Sequence, residues 1–224
     1  MYTIKKRFAR FICLTNSCFV NLDNIKVLKT KEEFIYCSGT LNGIWQYWNS
    51  FWRTYWLANI LGGLDIRGNI LSPISSITSN RKKENEILYF LLHILGKKKN
   101  DNGAIVGTYQ EATWGDRKNI EKISLGLSQL MTSQGFNQYT SSYSNILSLI
   151  GIFGDTIDHL QIVRNATIHL DKDNVKLLKN TVVPNYLIYD IKYPTDILFA
   201  EDLSTGKVAY KNWIENLQGF MSFL

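Results

Sequence analysis

Three histidines limit the acid–base chemistry that this 224-residue chain can carry. His93 lies in the apolar run YFLLHILG, where a packed, hydrogen-bonded side chain is the expected role. His159 is interpreted as an ordinary surface residue. His169 ends the segment R-N-x-x-x-H, which begins with Arg164 and Asn165. Because a histidine with its ordinary pKa of about 6.5 exchanges protons near neutral pH, and an arginine binds phosphate, His169 and Arg164 are the candidate reactive pair.

An arginine and a histidine suffice for cleavage of RNA without a metal. In that reaction a 2′-OH attacks the neighbouring phosphate, negative charge grows on the phosphate, and the leaving 5′ oxygen takes up a proton. A segment of this type arises by chance in roughly 1% of sequences of this composition, and in roughly 10% if the asparagine is not required. The sequence has no H-E-x-x-H, P-loop, G-x-S-x-G, EF-hand or G-x-G-x-x-G motif. We therefore expect neither a metal nor a cofactor.

The R-N-x-x-x-H segment resembles the signature of the HEPN superfamily, α-helical proteins with an R-x4–6-H motif in which asparagine often follows the arginine. The segment FWRTYWLANILGG is similar to a helix of large HEPN families of defence-system effectors. The resemblance covers about 41–62 and 145–224. It implies a mainly α fold, a HEPN-like helical bundle, and a metal-independent endoribonuclease that acts as a toxin or antiviral defence effector on RNA. Arg164 and His169 would be catalytic, and Asn165 would orient them.

Helical geometry separates the two catalytic candidates. At 100° per residue, Arg164 lies about 140° from His169 around the axis, whereas Asp158 and Asn165 share the face of His169. Either the helix ends before His169 and its side chain turns back, or two chains contribute their Arg/His sets to one cleft. HEPN nucleases resemble the second case, which implies a homodimer. Asp158 is the candidate to support His169.

Non-catalytic roles are the alternatives. HEPN-like proteins include binding modules, so the chain could bind RNA, a nucleotide or a partner protein without turnover. Arg164 and Asn165 would then cap or bridge helices, and His169 would be an exposed helix end. A structural subunit of a larger assembly is the third class. The resemblance also implies an antitoxin or another defence-system protein as a partner. Asp171 stands where HEPN toxins paired with minimal nucleotidyltransferase antitoxins have a tyrosine, so control by modification of that tyrosine is not expected.

Positive charge is concentrated in two stretches of the sequence. Residues 1–10 and 81–99 each carry a net charge of +4, so the rest carries −2 against a total of +6. This local basicity suits a polyanionic partner such as RNA, and solvated polar loops are the alternative. The residues of the second stretch that we predict to bind RNA are Arg81, Lys82, Lys83, Lys97, Lys98 and Lys99.

Apolar spacing predicts a single domain over 1–224, built mainly from helices. Residues 1–40 are interpreted as an N-terminal arm, irregular or partly extended over 11–40, where the residues show no clear period. Partial alternation and two prolines predict a short β-element near 183–199, and a Gly-rich polar stretch predicts a loop over 100–118. The predicted helices cover about 43–61, 82–95, 120–131, 145–153, 155–170 with Asp155 as N-cap, and 207–222.

Four tryptophans define the most distinctive of these helices. Trp45, Trp48, Trp52 and Trp56 recur at spacings of three and four, and Gly62 follows as a C-terminal cap. A helix that is apolar on two faces is expected in a core or at a subunit interface, and stacking on RNA bases is the alternative.

The cellular compartment is inferred from cysteines and apolar runs. Three cysteines without a C-x-x-C pair support neither a disulfide framework nor a zinc site. No stretch approaches the ~20 apolar residues of a membrane span, and the N-terminal apolar run is interrupted before a signal-peptide core is complete. These features predict a cytoplasmic protein that does not bind membranes.

Overall fold

A computed structural model describes residues 2–25, 31–79, 83–96, 113–133 and 137–224. Helices dominate these ranges, so the mainly α prediction is confirmed. The elements in chain order are β1 (Tyr2–Thr3), α1 (Ile4–Ile25), α2 (Lys31–Leu61), β2 (Gly63–Leu64), β3 (Ile70–Leu71), α3 (Ser75–Thr78), α4 (Glu84–Ile94), α5 (Arg117–Ser133), α6 (Asn137–Ile168), α7 (Lys172–Leu177), β4 (Tyr186–Leu187), β5 (Glu201–Asp202) and α8 (Ala209–Ser222). A π-helical turn (Leu178–Val182) follows α7 directly.

The chain divides into two compact units. Unit 1 comprises Met1–Arg10, Tyr47–Ile152 and Ser222–Leu224, and unit 2 comprises Phe11–Gln46 and Phe153–Met221. The one-domain organisation stays a prediction.

The strands are short. In unit 1, β1 pairs in parallel with β2, which pairs antiparallel with β3. In unit 2, β4 and β5 pair antiparallel, with Tyr186 opposite Asp202 and Leu187 opposite Glu201. The pair β4–β5 confirms the expected β-element near 183–199.

The core of unit 1 is built on the aromatic residues of α2. Trp48, Trp52 and Trp56 are each 0% exposed, which confirms the prediction of a core helix over one that stacks on RNA bases. The ring of Trp52 meets that of Trp48 edge to face, with centroids 5.7 Å apart, and that of Trp56 at a tilt, with centroids 5.2 Å apart. Gly62 ends α2 with φ +88°, as expected for a C-terminal cap.

Two hydrogen bonds at Gly115, which precedes α5, attach this part of the backbone to the aromatic core. Trp48 Nε1 donates to the Gly115 carbonyl at 2.8 Å, and the Gly115 N–H donates to Asn49 Oδ1 at 2.7 Å. A Cβ at position 115 would lie 2.3 Å from Trp48 Cδ1, so only glycine fits there.

The core of unit 2 forms around α8. Trp213, Leu217 and Phe220 of α8 are buried, as are Leu160 and Val163 of α6. Trp213 Nε1 donates to the Tyr186 hydroxyl at 2.7 Å, which ties α8 to β4. One face of the second half of α6 is therefore buried in this core. The burial of that face fixes the directions of the other side chains of α6.

Two predictions about helix boundaries are wrong. The described residues of 11–40 are not an extended arm, because 11–25 lie in the helix α1 and 31–40 in the helix α2. Ile4, Phe11, Cys18 and Leu22 form a buried stripe at helical spacing that the intervening polar residues obscure in the sequence. Asp155 is not an N-cap, because α6 is continuous from Asn137 to Ile168.

α6 also meets a length and composition criterion for a membrane span. The stretch Ser142–Ile168 has a mean hydropathy of 1.4 in its most apolar window, of which 44% is buried. The expectation that no stretch approaches this criterion is therefore wrong for α6. Core helices of soluble proteins pass the same test, so the criterion is weak evidence and the compartment stays a prediction.

Candidate functional site

The R-N-x-x-x-H segment lies at the C-terminal end of α6. Val163 and Ala166 are fully buried in unit 2, which leaves Arg164 and Asn165 half-buried beside the buried face. The last helical residue is Ile168, and the His169 N–H still donates to the Asn165 carbonyl at 2.8 Å. The backbone of the segment is therefore helical up to His169.

Asn42 of α2 holds the Arg164 side chain. Asn42 Oδ1 accepts from Arg164 Nη2 at 2.9 Å and from Nε at 3.2 Å. Arg164 Nη1 donates to Asn165 Oδ1 at 3.1 Å. Asn165 therefore contacts the guanidinium as the orienting role requires, and Asn42 is a second orienting residue that sequence reasoning missed.

The guanidinium of Arg164 keeps donors for a ligand. It has five N–H groups, and three of them are used by Asn42 and Asn165. One N–H on each terminal nitrogen makes no hydrogen bond within the described part of the chain. Burial lowers the pKa of Arg164 below its ordinary value, but an arginine side chain stays charged at neutral pH. A fixed cation with two free donors suits a phosphate oxygen pair.

His169 is exposed just beyond the last residue of α6. Among the described residues, no hydrogen bond joins its ring to Arg164. Because the helical backbone continues to the His169 N–H, the separation of about 140° around the axis applies. A single chain thus presents Arg164 and His169 in different directions.

Asp171, two residues after His169, is committed to capping α7. Its carboxylate accepts from the Asn174 N–H at 2.8 Å and from Asn174 Nδ2 at 2.6 Å. These bonds are the main cause of an Asp171 pKa below its ordinary value, with a smaller contribution from His169. The sequence DKDN at 171–174 thus forms a turn in which Asp171 caps α7.

Asp158 lies beyond the reach of His169 in the same chain. Eleven residues of a continuous helix separate them by about 16 Å along the axis. Asp158 is instead close enough to His159 to favour its protonated form. Support of His169 by Asp158 stays a prediction that requires a second chain.

Two interpretations of the other histidines are wrong. His93 is exposed, because the buried stripe of α4 (Ile87, Leu88, Leu91 and Leu92) lies on its other side. His159 is half-buried rather than on the surface, and its Nδ1 lies 2.9 Å from the Tyr186 hydroxyl. Since that hydroxyl already accepts from Trp213, its proton is available for a neutral His159 ring. Burial is the main cause of a His159 pKa below 6.5.

Most of the predicted RNA-binding lysines and arginines fall outside the described residues. These are Arg81, Lys82, Lys97, Lys98 and Lys99, with the larger part of the predicted loop 100–118. Lys83 is described and exposed, and its N–H donates to Glu86 Oε2 at 3.0 Å at the start of α4. RNA binding by this stretch stays a prediction.

In the part of the chain that the structure describes, no group of three or more His, Cys, Asp or Glu side chains is placed to hold a metal ion. The site consists of a fixed cation, its two asparagine partners and an exposed imidazole. The chain matches no family model, no curated protein and no solved structure.

Proposed function

We propose that the chain is a metal-independent endoribonuclease of the HEPN type, acting as a toxin or antiviral defence effector. The observation that carries the proposal is the Arg164 guanidinium, held by Asn42 and Asn165 with two N–H groups left for phosphate. The exposed imidazole of His169 supports the proposal as a proton donor or acceptor. These two groups supply the charge and the proton transfer that RNA cleavage by its own 2′-OH requires.

In the proposed reaction the 2′ oxygen forms a bond to phosphorus and the bond from phosphorus to the 5′ oxygen breaks. His169 accepts the proton that leaves the 2′-OH or donates the one that the 5′ oxygen takes up, and solvent water exchanges the other. Arg164 stabilises the negative charge that grows on the phosphate oxygens in between. The products are a 2′,3′-cyclic phosphate and a 5′-OH.

A cleavage assay tests the proposal. Purified protein is incubated with RNA in EDTA, and the ends of the products are identified by mass spectrometry. Arg164→Ala and His169→Ala should each lower the rate at least about 100-fold, with unchanged circular dichroism. Arg67→Ala and His93→Ala remove the same residue types at exposed positions and should leave the rate unchanged. Equal activity of the wild type and the two motif variants would refute the proposal. RNA binding without turnover would favour the alternative, a non-catalytic binding module.

The proposed homodimer follows from the separation of Arg164 and His169 around α6. A cleft that takes Arg164 from one chain and His169 from its partner would use both side chains without bending the helix. Light scattering at micromolar concentration should give twice the chain mass of 25.8 kDa. A monomer would contradict the shared cleft.

Mixing the two inactive variants tests the shared cleft directly. If each site combines two chains, a heterodimer of Arg164→Ala and His169→Ala has one intact site. An equimolar mixture that exchanges chains should then regain about a quarter of the wild-type rate. No regain after proven exchange would place both groups of a site in one chain.

A further inference from the structure

Three lysines line an open groove that begins one residue after His169. The groove, here called the α7 groove, has a volume of about 370 Å³. Lys172 and Lys176 of α7 and Lys179 of the π-helical turn all line it and are all exposed. Its other lining residues are Leu170, Asp171, Val175 and Asn180.

The positive charge of the α7 groove is available to a ligand. Within the described ranges, none of the three lysines forms an ion pair. The one carboxylate in the lining belongs to Asp171, and both of its oxygens accept hydrogen bonds from Asn174. The groove therefore presents an excess of cations together with the Asn180 amide.

The lysines are spaced along the chain in a way that suits a polyanion. At 1.5 Å per residue, Lys172 and Lys176 are about 6 Å apart along the axis, and Lys179 lies about 5 Å further on. Each ammonium on its flexible stem acts as a point charge for a phosphate group. Such a row can follow the backbone of one nucleic-acid strand.

We infer that the α7 groove binds the phosphate backbone of single-stranded RNA next to His169. This inference rests on the proposed ribonuclease function, because it is the reactive pair that makes RNA the expected polyanion. The strand is single because in-line attack by a 2′-OH requires a backbone free to adopt that alignment. An anionic membrane is a less suitable ligand for the groove than RNA. The exposed side chains of Leu170 and Leu177 could contact lipid, but α7 has six residues and is too short for an interfacial helix.

Salt-dependent binding tests the α7 groove separately from catalysis. The protein carries His169→Ala so that RNA is not consumed, and the probe is a fluorescent single-stranded RNA pool of about 15 nucleotides. Lys172→Gln, Lys176→Gln and Lys179→Gln together should reduce the slope of log affinity against log salt by about 2, and weaken binding about 100-fold at 0.1 M salt. The matched control changes the exposed residues Lys31, Lys118 and Lys122, which lie outside both basic stretches, to Gln and removes the same net charge.

The outcomes separate the groove from the proposed function. Loss of RNA binding in the groove variant, with binding kept in the control, supports the inference even if no cleavage is found. Equal binding by groove variant and control overturns it, even if the wild type cleaves RNA. Groove-dependent binding to phosphatidylserine vesicles without binding to RNA would also overturn it.

Discussion

Replacing Asn42 by alanine removes the oxygen that holds the Arg164 guanidinium. Asn42 Oδ1 accepts two of the three hydrogen bonds that the Arg164 guanidinium donates within the described chain. Asn165 alone would then orient the guanidinium through Nη1. We therefore expect Arg164 to keep its charge and lose its fixed direction.

The size of the effect follows from the two lost bonds. A hydrogen bond from a charged donor contributes about 1.5–3 kcal/mol, but both bonds share one acceptor and water reaches half-buried Arg164. We expect Asn42→Ala to lower the free energy of unfolding by about 1–2 kcal/mol. If the direction of Arg164 matters for cleavage, kcat/KM should fall about 10- to 100-fold, which corresponds to about 1.4–2.7 kcal/mol in the transition state.

Asn42→Asp separates stability from activity. The carboxylate keeps an acceptor for Arg164 and adds a charge-assisted bond, so the free energy of unfolding should not fall. Cleavage should fall as in Asn42→Ala, because the added negative charge offsets the cation that the phosphate needs.

Two assays check these values on the same samples. Urea unfolding followed by the fluorescence of the buried tryptophans gives the free energy of unfolding, and a fluorogenic oligoribonucleotide gives kcat/KM. Asn59→Ala, on the same helix, removes an amide that donates to the Tyr55 carbonyl at 2.9 Å and should leave cleavage unchanged. Wild-type cleavage by both Asn42 variants would refute the role of Asn42 in directing Arg164.

Three further predictions concern the rest of the chain. Trp48→Phe leaves the buried Gly115 carbonyl without its hydrogen-bond donor and should lower the free energy of unfolding by about 1–3 kcal/mol. Urea unfolding measures this value, and an unchanged free energy would contradict a stabilising role for the hydrogen bond. Burial lowers the pKa of His159, so below pH 6.5 the unfolded chain takes up a proton that the folded chain resists. As the pH falls from about 7 to 5.5 the wild type should therefore lose more stability than His159→Gln, and parallel pH profiles would refute this. Cys13 is exposed while Cys18 and Cys37 are buried, and burial raises the pKa of Cys37 to about 12. A thiol reagent should therefore modify Cys13 quickly and the other two cysteines only after denaturation. Equal rates of modification at all three cysteines would contradict this prediction.

Local periodicity predicted the helices whose apolar faces are simple. The stripes of α4, α5 and α8 and the tryptophans of α2 recur every three or four residues, and the structure buries those positions. This success is physical: a helix that must bury one face repeats its apolar residues with the period of the helix. The Asp171 cap and the end of α2 at Gly62 were predictable for the same reason, since each depends on its near neighbours alone.

Interrupted patterns were not predictable from the sequence. Thr15 lies in the middle of α1 and weakens its apolar stripe, but its hydroxyl donates to the Phe11 carbonyl at 2.8 Å and is fully buried. Gly154 is buried within α6, where sequence reasoning placed a break. Packing of α6 against its neighbours outweighs the cost of about 1 kcal/mol that a glycine adds to a helix.

The candidate reactive residues and their position near a helix end can be identified from the sequence alone. Arg164, Asn165 and His169 were identifiable because their spacing is a local property of the chain. The partner of Arg164 was not, since Asn42 lies 122 residues away and its contact exists through the packing of α2 with α6. The α7 groove also needed the structure: Lys172, Lys176 and Lys179 lie close together in the sequence, but the opening that they line is a property of the folded backbone.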